Sequence, residues 1–399
     1  MRTADVVIVG AGLAGCSVAR HLAADHRVLL LEQGPQPGAE AAAQNAGMVR
    51  RMGEDPYERA LAIRTVEALA AWDAVPGPDF PDGPPSRVIG AVLALARDPD
   101  HLTDAAAHLR ARGLQVEPCD RPADLAPALA GSPLPFAWHL PDARVADAHA
   151  LVMGALRGAR RLGASLRCGV RVTGLRTSGA QVTGVDTDDG PVEAGAVVLA
   201  AGAWSAQLAR AAGLDRPLVP VRRTLLHTAP HPASAPDHPW TWVDDAGVYA
   251  RPEAGGWLIS GCDEAVDPPA PGPGSQGPVQ ELHRALAADK LRRWLPALAD
   301  MRFTGGWTGL RTFAPDRRPV LGADPERPGL WWAAGLGGFG VTCSVAVGEA
   351  VAAWMRGHET PWLHRAGVAP GRPLASRWLI RPDGDLHHGR LVTARPPQG

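Results

Sequence analysis

"VVIVGAGLAG", residues 6–15, is an apolar strand that gives way to three glycines spaced G-x-G-x-x-G, and the small residues over 16–24 suit a helix laid on a sheet. "HRVLLLE" follows and reads as a second strand ending in Glu32. A glycine triplet alone is weak evidence. Strand, turn, helix, strand and acid in this order are the signature of a dinucleotide-binding βαβ unit. Gly10 permits the tight turn, Gly12 lets the backbone approach a pyrophosphate, and Gly15 lets helix and strand close up. The first amides of the helix, around Leu13 and Ala14, then face the phosphates. Glu32, with Gln33 beside it, is placed to accept ribose hydroxyls and to repel a 2′-phosphate, which leaves FAD or NAD and excludes NADP.

The next segment separates the two. A nicotinamide half-site continues into a compact second βαβ half, but here residues 38–55, "GAEAAAQNAGMVRRMGED", form a long loop of small residues before a helix expected over 56–72. Such a loop suits a cofactor lying extended through the protein, which is how FAD is held. Ala43, Gln44, Asn45, Ala46, Gly47 and Met48 are its candidate cofactor contacts.

Composition narrows the class. The 399 residues carry a formal net charge of −1, so neither a basic field for nucleic acid nor an acidic tail is present. The five cysteines are scattered without a C-x-x-C spacing and read as small core residues of a reducing compartment, with no metal site. No run of about 18 apolar residues stands out and no secretory leader opens the chain. The expectation is a soluble cytoplasmic protein with no transmembrane segment.

Further along, residues 87–96 read as one strand and 98–112 as an amphipathic helix with Leu102, Ala106 and Leu109 on one face, while Asp147 caps a helix running to about Leu162. Residues 165–204 alternate short strands with Gly and Asp turns, an antiparallel meander returning to a buried strand at 196–200. Residues 217–228 and 240–261 look like strands of a second sheet, and 264–278, "EAVDPPAPGPGSQGP", like a flexible linker. Residues 280–294 read as a helix with Lys290, the only lysine, on its surface. Beyond Arg365 the chain reads as an extension outside the core, with the pair His387 and His388 solvated. Two features remain. A second glycine turn, "WAAGLGGFGVT" at 332–342, ends a late strand. Arg311 stands in "GLR" between apolar segments, either as a structural ion-pair residue or as a buried fork for a carboxylate.

Taken in order, these motifs resemble the D-amino-acid oxidase superfamily of FAD-dependent enzymes, and in particular its bacterial D-arginine-dehydrogenase-like and glycine or sarcosine oxidase branch. The matching residues are Gly10, Gly12 and Gly15 with Glu32, the "QNAGM" loop at 44–48, Val172 in "VRVTGL", and "AAGAW" at 200–204 with Ala201, Gly202 and Trp204. They continue through "VPVRRT" at 219–224, "VYARPE" at 248–253, "WTGLRTFAPDRRPVLG" at 307–322 and "GLGGFGVT" at 335–342, so the resemblance spans about 5–356.

The resemblance implies an α/β fold: a Rossmann-like FAD-binding domain of the glutathione-reductase type over 1–85, 141–217 and 306–365, and an antiparallel-sheet substrate domain over 86–140 and 218–305. Residues 366–399 form the C-terminal extension. It implies that the second turn, through Gly335, Gly337, Gly338, Phe339, Gly340, Val341 and Thr342, sets a helix N-terminus beside the flavin ring, where amides stabilise negative charge. It also implies that Arg311 and Tyr249 hold a substrate carboxylate, with Arg222 or Arg223 lining the same pocket and the other facing solvent. The reaction implied is oxidation of the Cα–N bond of a D-amino acid by hydride transfer to flavin N5, followed by hydrolysis to a 2-oxo acid. O2 or a quinone takes the electrons. A glycine or sarcosine-type amine oxidase, and a flavin subunit working with a partner protein, are the alternatives. No general base is nominated, because lone histidines such as His139 and His227 beside strands are ordinarily structural.

The departures shape specificity. Met48 stands where D-arginine dehydrogenases carry a histidine, Gln44 replaces a common arginine, and "RRMGED" occupies the place of a tyrosine-bearing lid. "RVIGA" at 87–91 offers no acid for a guanidinium, so a neutral or small side chain is favoured over arginine. The cysteine that links flavin covalently in sarcosine oxidases is missing near "GLRTFAPD", so FAD is expected to be non-covalent.

Overall fold

The computed structural model describes residues 3–53 and 55–365. Its strand Thr3–Val9 turns Val6 and Ile8 to one face and Val7 and Val9 to the other, and all four are buried. A strand with no polar face belongs inside a parallel sheet covered on both sides. Val28–Glu32 lies parallel on one side of it and Val192–Leu199 on the other; Ser165–Cys168 extends the sheet beyond the first, and Leu330–Ala334 beyond the second.

Helices Leu13–Leu22, Ala148–Arg161 and Gly340–Met355 cover one face, with Pro56–Ala74 packed on the last. Strands Val172–Ser178 and Gln181–Thr187 with helix Ser205–Ala211 cover the other. The helix starts are chemically marked. Asp147 accepts a bond from the Ala150 amide, and Asp55 caps Tyr57 and Glu58 with Pro56 in the first turn.

Among the described residues the second sheet has nine strands and is mainly antiparallel. Val219–Thr228 pairs with Phe303–Phe313 along its length on one side and with Gly256–Ser260 on the other, and the sheet continues through Val248–Glu253, Trp240–Val243, Ala91–Leu95, Phe136–Leu140 and Glu117–Pro118. A small third sheet joins Met48–Val49, Arg144–Ala146 and Ser86–Val88. The fold is therefore α/β, a Rossmann-like nucleotide-binding unit joined to an antiparallel sheet.

Several expectations are corrected. Residues 87–96 are not one strand: the chain turns at Gly90 (φ +76°), so Ser86–Val88 and Ala91–Leu95 serve different sheets. The helix expected over 98–112 is only Thr103–Ala111, because the Asp98 carboxylate holds the Asp100 and His101 amides in a preceding turn. Ser165–Cys168 belongs to the parallel core and not to the meander. Residues 306–313, expected with the FAD-binding unit, pair instead within the second sheet.

The segment Gly337–Met355 is long and apolar enough, by length and composition, to cross a membrane, and most of it is buried within the protein. Lys290 is half-buried and not free on the helix surface; its amine donates to the Gly247 and Gly261 carbonyls, and burial lowers its pKa. Residues 366–399, with the two tail histidines, lie outside the described residues.

Candidate active site

Parallel strands deliver their carboxyl ends to one edge, and ligands of open α/β sheets bind there. Here that edge opens on a cavity of about 470 Å³ that also reaches the second sheet. The first glycine turn forms one wall, with Gly10, Gly12, Leu13 and Ala14 exposed to the cavity. A methyl on Gly10 would come within 2.6 Å of the Ala200 carbonyl, and one on Gly15 within 1.9 Å of the Gly10 carbonyl. A methyl on Gly12 would meet nothing within 4 Å. The first and third glycines thus serve close packing, and the second opens the backbone to a ligand. Gly15 lies behind the wall, not on it.

Glu32 and Gln33 continue this end. The two Glu32 oxygens accept bonds from the Ala11 amide at 2.9 Å and the Gly34 amide at 2.8 Å, which fixes the carboxylate while lone pairs remain for other donors. Burial pushes its pKa up.

The loop after the acid is folded by its own side chain. Asn45 donates to the Ala42 carbonyl and accepts from the Gly47 amide, and Gln44, Asn45, Ala46, Gly47 and Met48 line the cavity. Ala43 points to solvent and Ala42 takes its place on the wall. Val172, Ala201, Gly202 and Trp204 close the side opposite.

The second turn packs against the strand that carries Arg311. A methyl on Gly337 would lie 2.5 Å from the Phe313 ring, and one on Gly338 3.8 Å from the Arg311 side chain. Gly335, Gly337, Gly338, Gly340, Val341 and Thr342 line the cavity, and the 16-residue helix Gly340–Met355 begins at its edge. Phe339 does not line it, being turned toward Arg50 and Gly53.

Arg223, Tyr249 and Arg311 meet at the far end. Arg223 is compensated: it pairs with Glu264 at 2.5 Å, and Glu264 also takes Arg317. Arg311 is not. Its Nη1 is buried without a hydrogen-bond partner, and among the described residues it forms no ion pair. Burial, and then the neighbouring Arg223, lower its pKa. A buried cation with unused donors calls for an anion. Burial raises the pKa of Tyr249, so its phenol stays protonated.

Arg222 is off the cavity but does not face solvent either. It pairs with Asp267 at 2.5 Å and donates to the Ser275 carbonyl and the Thr308 hydroxyl. Neither His139 nor His227 lines the cavity.

Sequence reasoning missed two groups. The first is the segment 264–278, which is no linker. Ala265–Val266 pairs with Arg222 and Val221, Trp204 donates to the Ala270 carbonyl, and the Glu40 carboxylate takes Gly274 and Ser275 amides and the Ser275 hydroxyl. Pro271, Gly272 and Ser275 thereby roof the cavity. The second is Arg50 with Trp242, on the wall near Tyr249. Only the run of prolines and glycines hinted at the first, and nothing local marked the second.

The model of the DAO family, FAD dependent oxidoreductase, matches residues 5–354. The chain belongs to this family. FAD is accordingly its cofactor. A glycine oxidase of Pseudomonas aeruginosa is 31% identical over 403 residues, covering 92% of this chain and 99% of its own. A D-amino acid dehydrogenase 2 of the same organism is 35% identical over 264 residues, 63% of this chain and 58% of its own. The crystal structure of glycine oxidase from Geobacillus kaustophilus superposes with a TM-score of 0.76 at 24% identity, covering 98% of this chain and 99% of that one, a likeness of fold.

The DAO-family site fits FAD on its own geometry: an open Cα at Gly12, a helix N-terminus behind it, an anchored carboxylate at Glu32 and a roof over the loop. The roof yields a prediction. Glu40→Gln weakens three bonds to residues 274 and 275, and FAD dissociation is expected to quicken about 10-fold, equivalent to roughly 1–2 kcal/mol. Recovery of free-flavin fluorescence after dilution measures it; an unchanged release rate counts against the roof as a retaining element.

Proposed function

We propose that this FAD-dependent oxidoreductase oxidises the Cα–N bond of a D-amino acid with a small, non-cationic side chain to an imino acid, which water converts to a 2-oxo acid. The observation that carries the reading is the buried, unpartnered Nη1 of Arg311 beside Gly338 of the second turn. A carboxylate is the planar anion that a guanidinium fork holds at two points. Bound FAD supplies a two-electron acceptor. Arg311 fixes the carboxylate, Tyr249 offers a protonated hydroxyl beside it, and the ring of Trp242, 5.0 Å from that of Tyr249, limits the space for the rest of the substrate.

Among the described residues, the carboxylates on the cavity wall are Glu32 and Glu40, at the nucleotide end. None therefore waits for a cationic side chain, which supports small over arginine-like substrates. The glycine oxidase relative, matched over nearly its full length, supports a second reading, oxidation of glycine or a small secondary amine at the same site.

Anaerobic titration of the purified flavoprotein with D- and L-amino acids, glycine and sarcosine, followed in the flavin absorbance band, tests both. Bleaching by D-alanine or by sarcosine assigns the reading. A marked preference for D-arginine would overturn the assignment of a non-cationic side chain, and no bleaching by any compound would overturn the amino-acid reading itself.

A further inference from the structure

Besides Arg311 and the ion-paired Arg223, the cavity wall carries the guanidinium of Arg50, which approaches the second glycine turn from another direction. Its side chain follows the strand Met48–Val49, and only 13% of it is exposed. Its Cζ lies 4.0 Å from the centre of the Trp242 ring and 4.7 Å from that of Phe339, the residue after Gly338. The Cδ and Nε of Arg311 lie 3.8 Å from where a methyl on Gly338 would stand. Both guanidiniums thus stand around adjacent residues of one turn.

The use of their donors is incomplete in both cases. Nη1 of Arg50 donates to Asp244 Oδ1 at 2.8 Å, and no other Arg50 donor has an acceptor among the described residues. Asp244 is itself shared, because its Oδ2 is bonded to His101 Nε2 at 2.8 Å. Two aromatic faces and one carboxylate hold the guanidinium plane still. A fork ordered in this way loses little freedom on binding a planar anion.

The geometry points to Arg50 as a specificity-determining residue that recognises a second carboxylate on the substrate: an amino or imino dicarboxylate of small size, whose first carboxylate is held by Arg311. This rests on the proposed role of Arg311 and narrows the side chain it leaves open. A purely structural Arg50, serving only to brace Trp242 and Asp244, would make no distinction between mono- and dicarboxylates.

The test has a binding arm and a turnover arm, both on the FAD-loaded full chain. In the first, malonate and succinate are titrated against acetate and butyrate, and the perturbation of the flavin spectrum gives each Kd. In the second, kcat and KM are measured for D-aspartate against D-alanine and for iminodiacetate against sarcosine. The native protein is expected to bind dicarboxylates more tightly. Arg50→Met is expected to reduce the dicarboxylate preference about 10- to 100-fold, the size of a lost charge-assisted hydrogen bond, mainly through Kd and KM. Arg50→Lys is expected to restore part of it, which a bracing role would not predict.

Equal affinity for mono- and dicarboxylates in the native protein, or an unchanged preference in Arg50→Met, overturns the inference. Failure of the underlying reading looks different. If Arg311 is no anchor, Arg311→Met leaves acetate binding intact, whatever Arg50 does.

Discussion

Replacing Arg311 by methionine is expected to lower kcat/KM for the best amino-acid substrate about 100- to 1,000-fold, the cost of truncating one partner of a buried charge pair. The decisive companion measurement is thermal stability. Most substitutions at buried positions destabilise. Here the free protein holds a cation whose Nη1 has no partner, close to a second guanidinium, so its removal relieves burial cost and repulsion together. The melting temperature of the substrate-free variant is expected to hold or rise. Activity lost while stability is kept marks a group retained for a ligand. If the variant melts well below the native protein and still turns over, Arg311 is a structural residue after all. Arg223 offers the contrast, because Glu264 already answers its charge.

How far these roles could be read from the sequence depended on how local their causes are. The first glycine turn was legible because the reasons for its three glycines lie within one βαβ unit, apart from the contact of Gly10 with Ala200. The cap by Asp147 was legible for the same reason. Segment 264–278 misled because proline and glycine remove the periodic signals by which ordered chain is recognised. Its order comes from Glu40, Arg222 and Trp204, all distant in sequence. Gly90 was hidden inside an apolar run, where a single turn divides one apparent strand between two sheets. Arg222 and Arg223 alternate across a strand, so one had to face the cavity; that the other meets Asp267 instead of water depends on the roof. Arg50 needed the three-dimensional meeting of the flavin loop with Trp242 and Phe339.

The second large effect is expected far from the substrate. Asp324 accepts from Arg216 Nη2 at 2.9 Å and Nε at 3.1 Å, and from the Trp332 indole at 2.9 Å, with the Arg216 and Asp324 side chains 2% and 0% exposed. Asp324→Ala leaves Arg216 buried with Glu326 as its remaining charged partner, and a loss of about 3–5 kcal/mol is expected, as for other broken buried pairs.

The pH dependence has a definite sign. Burial, the largest influence, would raise the Asp324 pKa, but the bonds from Arg216, the backbone and Trp332 outweigh it and hold the carboxyl below its ordinary value. A carboxylate with a depressed folded pKa contributes stability that is fully present above the unfolded value, about 3.9, and is lost as pH falls through the folded one. The gap in melting temperature between native and variant protein should therefore be constant from about pH 8 to pH 5 and narrow below about pH 4. A gap that persists undiminished at the lowest pH would mean that lost packing, not lost charge, accounts for the effect. Trp332 makes the pair relevant to chemistry: it lies on strand Leu330–Ala334, which runs directly into the second glycine turn. A variant that melts early should consequently lose FAD before it loses its helices, because the turn beside Arg311 depends on the strand that Asp324 anchors.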